Sequence, residues 1–286
     1  MKELSKDQEN LAESFRSYLE KKNMSENTKN AYERTVRQLL SSRTLLSETS
    51  LQKHRNLLIS RYRPATINQK IYAINHFLLF LEENYPESYP ALAAFRLRSV
   101  KIPRDTFQDS IISDEDCMIL QKKLKEEHKD FWYFIVRFLV TTGARVSELI
   151  QIKVEHLSCG YLDLYSKGGK IRRIYIPTPL CLEAKCWCER RGLTSGFLFV
   201  RKNGRPVTTR GIHSQLKHYA IRYGIDPDTI YPHSFRHRFA KNFLMRSGDI
   251  SLLADLLGHE SIETTRIYLT RSSEEQKLLL DEMVTW

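Results

Sequence analysis

A chain of 286 residues, 41% hydrophobic and 28% charged, has apolar material for one large core or two smaller ones, and two domains are expected. Its 45 Lys and Arg against 34 Asp and Glu leave a formal charge of +11 and a pI near 9.4, so a polyanionic partner is expected, nucleic acid ahead of an anionic membrane surface. The opening MKELSKDQEN has no apolar h-region, and the richest apolar run, Phe131 to Val140, is interrupted by Arg137, which argues against a secretion signal and a membrane span and for a soluble cytoplasmic chain.

From Asp7 to about Tyr89 the pattern is helical and free of glycine. Leu11, Phe15, Tyr18 and Leu19 recur at helical spacing, and Ser25 caps a second helix through Thr28 to Leu40 with Tyr32, Val36, Leu39 and Leu40 inward. A third helix fits 50 to 61. Pro64 and Thr66 introduce a fourth, Ile67 to Leu81. The stretch SVKIPRDTFQDSII, residues 99 to 112, carries a proline and mixed charges without a period and reads as an extended linker, with the domain boundary near Asp105.

Ser113 followed by Asp114, Glu115 and Asp116 is a helix start, and helical pattern runs to Lys153. Tyr161 to Tyr165 and Ile171 to Ile176 predict strands joined by Ser166-Lys167-Gly168-Gly169-Lys170, and helices return from 178 onward. The five cysteines, Cys117, Cys159, Cys181, Cys186 and Cys188, form no CxxC pattern; in a helix over 178 to 190, Cys181 and Cys188 share a face and Cys186 does not. Reduced thiols are expected, and no metal site.

Three segments carry chemistry. In TTGARVSEL, Gly143 permits a sharp turn that places Arg145 near a helix N-terminus, an anion-binding position, with Glu148 on the same face. In YPHSFRHRFA, His233 and Arg236 lie one turn apart and Phe235 pairs with Phe239. An HxxxH metal pair of His233 and His237 is disfavoured, because no carboxylate lies in the motif and Arg236 and Arg238 repel a cation. Asp249 begins a helix that stops at Gly258-His259, and Ser261 caps Ile262 to Leu269, which carries Tyr268.

Each segment alone has an ordinary reading: a surface ion pair, a basic helix touching phosphates, or one packing tyrosine among 14. Together they suit one reaction. A tyrosine with a pKa near ~10 needs a proton acceptor and nearby positive charge to act as a nucleophile, and two arginines match the charge that spreads over the equatorial oxygens of a phosphoryl transition state. No GxxxxGK[ST] loop or acidic metal cluster is evident, so neither ATP nor metal cofactor is expected.

The ordered set TGARVSEL, SKGGK, HSFRHRFA and LGHESIETTRIY resembles the tyrosine recombinase, or phage integrase, family, and in length and layout the chain is most similar to its short Xer-type members. The resemblance implies a mainly α fold with a small β-hairpin (α+β), and two domains forming a C-shaped clamp around DNA. A helical core-binding (SAM-like) domain would span 1 to 105 with a linker to about 112, and a catalytic domain 113 to 286 with an exchange tail from about 272. By the same resemblance Arg145 and Arg236 clamp the scissile phosphate and Glu148 supports them. His233 assists proton transfer, His259 donates a hydrogen bond, and Tyr268 forms a 3′-phosphotyrosyl bond on the way to a Holliday junction. Lys167 protonates the leaving 5′ oxygen, with Lys170 of the same hairpin as the alternative.

Lys29, Arg34, Arg37, Arg61, Arg63, Lys70, Lys202, Arg205, Arg210, Lys217 and Arg222 are candidate DNA contacts. Implied partners are double-stranded recombination sites and a homo-tetramer, or a hetero-tetramer with a paralogue, on two duplexes, with C-terminal segments exchanged between protomers and the nucleoid as location. Phe235 stands where the family usually has leucine, Glu155 where aspartate is common, and Leu269-Thr270 where a small residue and histidine often follow the tyrosine. A type IB topoisomerase uses a similar residue set, and a silent DNA-binding protein on the same fold is the alternative from another class. Chromosome dimer resolution, element integration and DNA inversion all use this chemistry.

Overall fold

The computed structural model describes residues 4–42, 46–102, 111–165, 171–201, 204–259, 261–269, 277 and 280–284. The chain divides into two compact units, Met1–Arg104 and Asp105–Trp286.

In the first unit, α1 (Lys6–Lys21) begins at a capping box: the Ser5 hydroxyl accepts from the Gln8 N–H and the Gln8 side chain accepts from the Ser5 N–H. Ser25 caps α2 (Glu26–Leu40), and Ser47 caps α3 (Glu48–Arg61), which therefore starts two residues earlier than its apolar spacing suggests. Pro64 opens α4 (Pro64–Asn84), whose Ile67, Ile71, Ile74, Phe77, Leu78 and Leu81 are buried against α1, α2 and α3. Phe15 meets Phe77 edge-on with ring centroids 5.2 Å apart.

Beyond α4 the chain turns back in extended form. Asn75 donates to the Leu97 carbonyl and accepts from its N–H at 3.0 and 2.8 Å; Asn68, two turns earlier on the same helix face, does the same to Val100 at 2.9 and 2.8 Å. Two side-chain amides thus act as rungs of a missing strand. The expected linker is correspondingly shorter than 99 to 112, since Val100 is pinned to α4 and Ile112 is fully buried in the second unit. Residues 103–110 lie outside the described residues.

The second unit opens with α5 (Asp114–Glu126), capped by Ser113, and α6 (Asp130–Thr142). Short helices α7 (Val146–Leu149) and α8 (His156–Cys159) lead to an antiparallel pair, β1 (Tyr161–Tyr165) and β2 (Ile171–Tyr175), in which Leu162 faces Ile174 and Leu164 faces Arg172. Helices α9 (Thr178–Arg190), α10 (Thr209–Arg222), α11 (Pro232–Ser247) and α12 (Ile250–Leu257) follow, then α13 (Glu263–Arg266) and a 3₁₀ turn, Ile267–Leu269. Trp187 stacks on Phe134 at 4.5 Å in a core that also holds Phe138 and Phe199. On α9, Cys181 and Cys188 are buried and Cys186 exposed, as the helical spacing predicts.

Among the described residues the fold is helical apart from the hairpin and two isolated bridges, Lys153 with Phe197 and Val200 with Pro206, which is the mainly α class with a small sheet. No helix among the described residues is long and apolar enough to cross a membrane. One difference lies near the end of the chain. Ile262 to Leu269 is not one α-helix: i+3 bonds from Thr264 and Thr265 to the Ser261 and Ile262 carbonyls tighten its start, a single α turn follows, and Ile267–Leu269 is 3₁₀.

Truncating Asn68 to alanine strands the N–H and C=O of Val100, and this is expected to destabilise the first unit by about 1–3 kcal/mol in urea unfolding of the whole chain. A loss below about 0.5 kcal/mol would mean that water serves those two groups as well as the amide does.

Candidate active site

Four elements converge on one concavity of about 530 Å³ lined by Arg145, His233, Arg236, His237, Gly258, His259, Ser261, Thr264, Ile267 and Tyr268. Arg145 is the N-cap residue of α7; its backbone N–H donates to Glu148 Oε2 at 2.7 Å and its guanidinium to Glu148 Oε1 at 2.8 Å. The Arg145 side chain nevertheless keeps 42% of its surface in solvent. Gly143, with φ at +61°, turns the chain between α6 and α7, and any Cβ there would collide with the ring of Phe239 on α11.

Arg236 is the most constrained member. Only 1% exposed, it donates from Nη1 to the Gly143 carbonyl at 2.8 Å and from Nη2 to the Leu257 carbonyl at 2.7 Å, and Nη2 also lies 3.1 Å from His259 Nε2. Burial first, then the charges of Arg145 and Arg172, pushes its guanidinium down to about 10, so it stays cationic at neutral pH. Because Arg236 has only protons to offer, His259 Nε2 accepts, and Nδ1 carries the proton that it donates to Thr265 Oγ1 at 2.7 Å.

Tyr268 is 5% exposed and packs in a small satellite core with Ala240, Leu244, Leu253 and Leu257. Its ring lies nearly parallel to that of His259 at 6.2 Å and edge-on to His237 at 5.1 Å. Burial raises its pKa, against the opposing pull of Arg236 and Arg145. His233, one turn before His237 on α11, is held below its ordinary pKa by burial and by the same two arginines, so a neutral imidazole faces the pocket.

The tertiary structure therefore brings Arg145, Glu148, His233, Arg236, His259 and Tyr268 together. Lys167 and Lys170 lie outside the described residues, in the segment that joins β1 to β2. Three neighbours were not singled out from sequence for this site. Arg172 on β2 shares Glu148 with Arg145, Thr265 holds the His259 Nδ1 side, and His237 lies between His233 and Tyr268. The readable sign for Arg172 was its place on the inward face of a strand, two residues before the buried Ile174. Glu155 accepts from the Gly196 N–H at 3.0 Å and does not line the pocket.

The candidate DNA contacts differ in burial. Arg34, Arg61, Arg63, Arg205 and Arg210 are exposed. Lys29 is buried and paired with Glu26 on its own helix and Glu20 on α1, and Arg37 is held by Glu9 and Glu33, so these two hold α1 and α2 together. Lys70 donates to Gln38, Lys217 pairs with Asp228, and Arg222 pairs with Glu127; Lys202 lies outside the described residues.

The family model described as "Phage integrase family" matches residues 115–275, and the tyrosine recombinase XerA of Pyrococcus furiosus is 34% identical over 274 residues, 93% of this chain and 91% of that protein. The chain belongs to the phage integrase family, the tyrosine recombinases. Among solved structures, the XerH recombinase in a post-cleavage complex with palindromic difH matches with a TM-score of 0.72 at 18% identity, covering 95% of this chain and 84% of that one. A lambda integrase tetramer bound to a Holliday junction matches with a TM-score of 0.71 at 15% identity, covering 92% and 78%. These two likenesses establish the recombinase fold. As a family member the chain is a tyrosine-type site-specific recombinase.

Burial and neighbouring cations push both His237 and His259 from 6.5 down to about 4. Their folded pKa values lie below the unfolded one, so as pH falls below 6.5 the unfolded chain takes up protons that the folded chain refuses. The thermal midpoint of the second unit is therefore expected to drop between pH 6.5 and about 4, and less steeply in His237→Gln. Identical slopes in the two proteins would mean that His237 is not held neutral.

Proposed function

We propose that this recombinase cuts and rejoins DNA strands through Tyr268, forming a 3′-phosphotyrosyl bond, releasing a 5′ hydroxyl and passing through a Holliday junction. The observation that carries this reading is the pocket, where a buried tyrosine and two cationic guanidiniums line one concavity with three imidazoles held neutral. Arg236 directs its Nη2 at His259, and a phosphate oxygen seated in the pocket takes over that donor from the imidazole. Arg145, largely solvent-facing, reaches for a second non-bridging oxygen.

Neutral His233 takes up the phenolic proton as the Tyr268 oxygen attacks. His259 changes role when phosphate draws Arg236 away: Nε2 then carries the proton and donates, while the Thr265 hydroxyl switches from accepting at Nδ1 to donating. Glu148 holds Arg145. Lys167 protonates the leaving 5′ oxygen, with Lys170 as the alternative. One phosphoester replaces another, so the bond energy is retained and the 5′ hydroxyl of a partner strand reverses the step without ATP or metal.

The first unit and its linker serve DNA binding and the second unit serves catalysis, with Arg34, Arg61, Arg63, Arg205 and Arg210 the phosphate contacts best supported by their exposure. The lambda integrase tetramer on a Holliday junction supports a tetramer on two duplexes, homomeric or shared with a paralogue, acting on nucleoid DNA. In the tail, Leu280, Met283 and Val284 are 63%, 69% and 43% exposed, which supports docking of that segment on a neighbouring protomer.

The test begins by mapping DNA trapped covalently on the protein in cells, then placing the recovered sequence in a duplex nicked beside the cut site. The wild-type chain is expected to accumulate a covalent adduct, unaffected by chelators, and Tyr268→Phe none. An adduct that survives in Tyr268→Phe overturns the assignment of the nucleophile, and relaxation of supercoils without any joining of two sites overturns recombination in favour of a topoisomerase.

A further inference from the structure

Glu148 is a largely buried carboxylate with two guanidiniums: its side chain is 10% exposed, and Oε1 accepts from both Arg145 and Arg172. The two partners are not equivalent. Arg145 lines the pocket with 42% of its side chain exposed, whereas Arg172 is 12% exposed, does not line the pocket and approaches from the hairpin side. Arg172 also donates from Nη2 to the Leu256 carbonyl at 3.2 Å.

The turn that ends α12 is built around this side chain. Gly258 sits at φ +62°, and a Cβ on it would overlap Cδ and Nε of Arg172. The adjacent carbonyl, Leu257, takes Arg236, and the following residue, His259, contacts Arg236 in turn. Consecutive residues of one turn thus receive Arg172, Arg236 and the pocket imidazole.

We infer that Arg172 is a positioning residue for the phosphate clamp: it stays with Glu148 as a permanent buried counter-ion and so leaves the charge of Arg145 available to the scissile phosphate. This rests on the phosphodiester reading of the pocket given above. The physical reason is the cost of uncovering a buried carboxylate. With Arg145 as its single partner, Glu148 would have to lose that partner or share it whenever phosphate binds, and an uncompensated buried charge is strongly unfavourable. With Arg172 present, three guanidiniums stand against one carboxylate and two positive charges are left over, on Arg145 and Arg236. A phosphoryl transition state gathers more negative charge than its ground state, so this surplus favours the chemical step over simple binding.

The experiment is a double-mutant cycle on the nicked duplex, read as the single-turnover rate of adduct formation at saturating protein, with DNA affinity and thermal midpoint measured alongside. Arg172→Gln is expected to slow adduct formation by about 100-fold while DNA affinity changes by less than about threefold, because Arg145 becomes the sole counter-ion of Glu148. Adding Glu148→Gln, which keeps an acceptor for the Arg145 N–H but removes the charge, is expected to recover at least about tenfold of that loss. Arg172→Lys, which keeps the charge without the second hydrogen bond, falls between wild type and Arg172→Gln and serves in its place if Arg172→Gln does not fold. Losses that simply multiply in the double variant, or a rate unchanged in Arg172→Gln, overturn the inference. Failure of the underlying reading looks different: the wild-type chain then forms no Tyr268-dependent adduct at all.

Discussion

Arg236 is a guanidinium sealed from solvent and fastened to two carbonyls, that of Gly143 after α6 and that of Leu257 at the end of α12. A buried cation is tolerable only where acceptors meet it, so its presence dictates where those two helix ends must lie. Both ends carry a glycine with positive φ, Gly143 and Gly258, and at both a side chain would strike a neighbour, Phe239 in one case and Arg172 in the other. The remaining pocket follows from this arrangement: Arg145 begins the helix just after one glycine, and His259 directly follows the other.

Packing and chemistry are coupled at Tyr268. Its ring completes a satellite core with Ala240, Leu244, Leu253 and Leu257, on the same helices that supply Arg236 and the turn before His259. Burial raises the tyrosine pKa against the pull of the arginines, so the phenol is protonated at neutral pH. On the histidines burial and nearby cations act in the same direction, and both keep the imidazoles neutral.

Much of the scaffold was legible because it depends on local rules. Ser25 and Ser113 cap helices, Pro64 opens one and Gly258 ends one, each through a side chain or backbone conformation that acts within a few residues. Local reasoning went astray where a distant group intervened. The linker looked free from residue 99, but Asn68 and Asn75 reach across more than 20 positions to hold Leu97 and Val100. Lys29 and Arg37 read as candidate phosphate contacts, and the fold adds the distant partners Glu20 and Glu9 on α1.

By itself the sequence determined the helical class, the hairpin over 161 to 175 and the family, since four short motifs in fixed order carry that information without reference to space. It also named Arg145, Glu148, His233, Arg236, His259 and Tyr268, residues up to 123 positions apart, but as a set without distances. Only the tertiary structure decided that Arg236 would be sealed and Arg145 open, that Arg236 would fix the His259 tautomer, and that Arg172 would share Glu148. The reason is physical: a residue's charge is written in its type, but its solvation and its counter-ions are set by whatever the fold packs beside it.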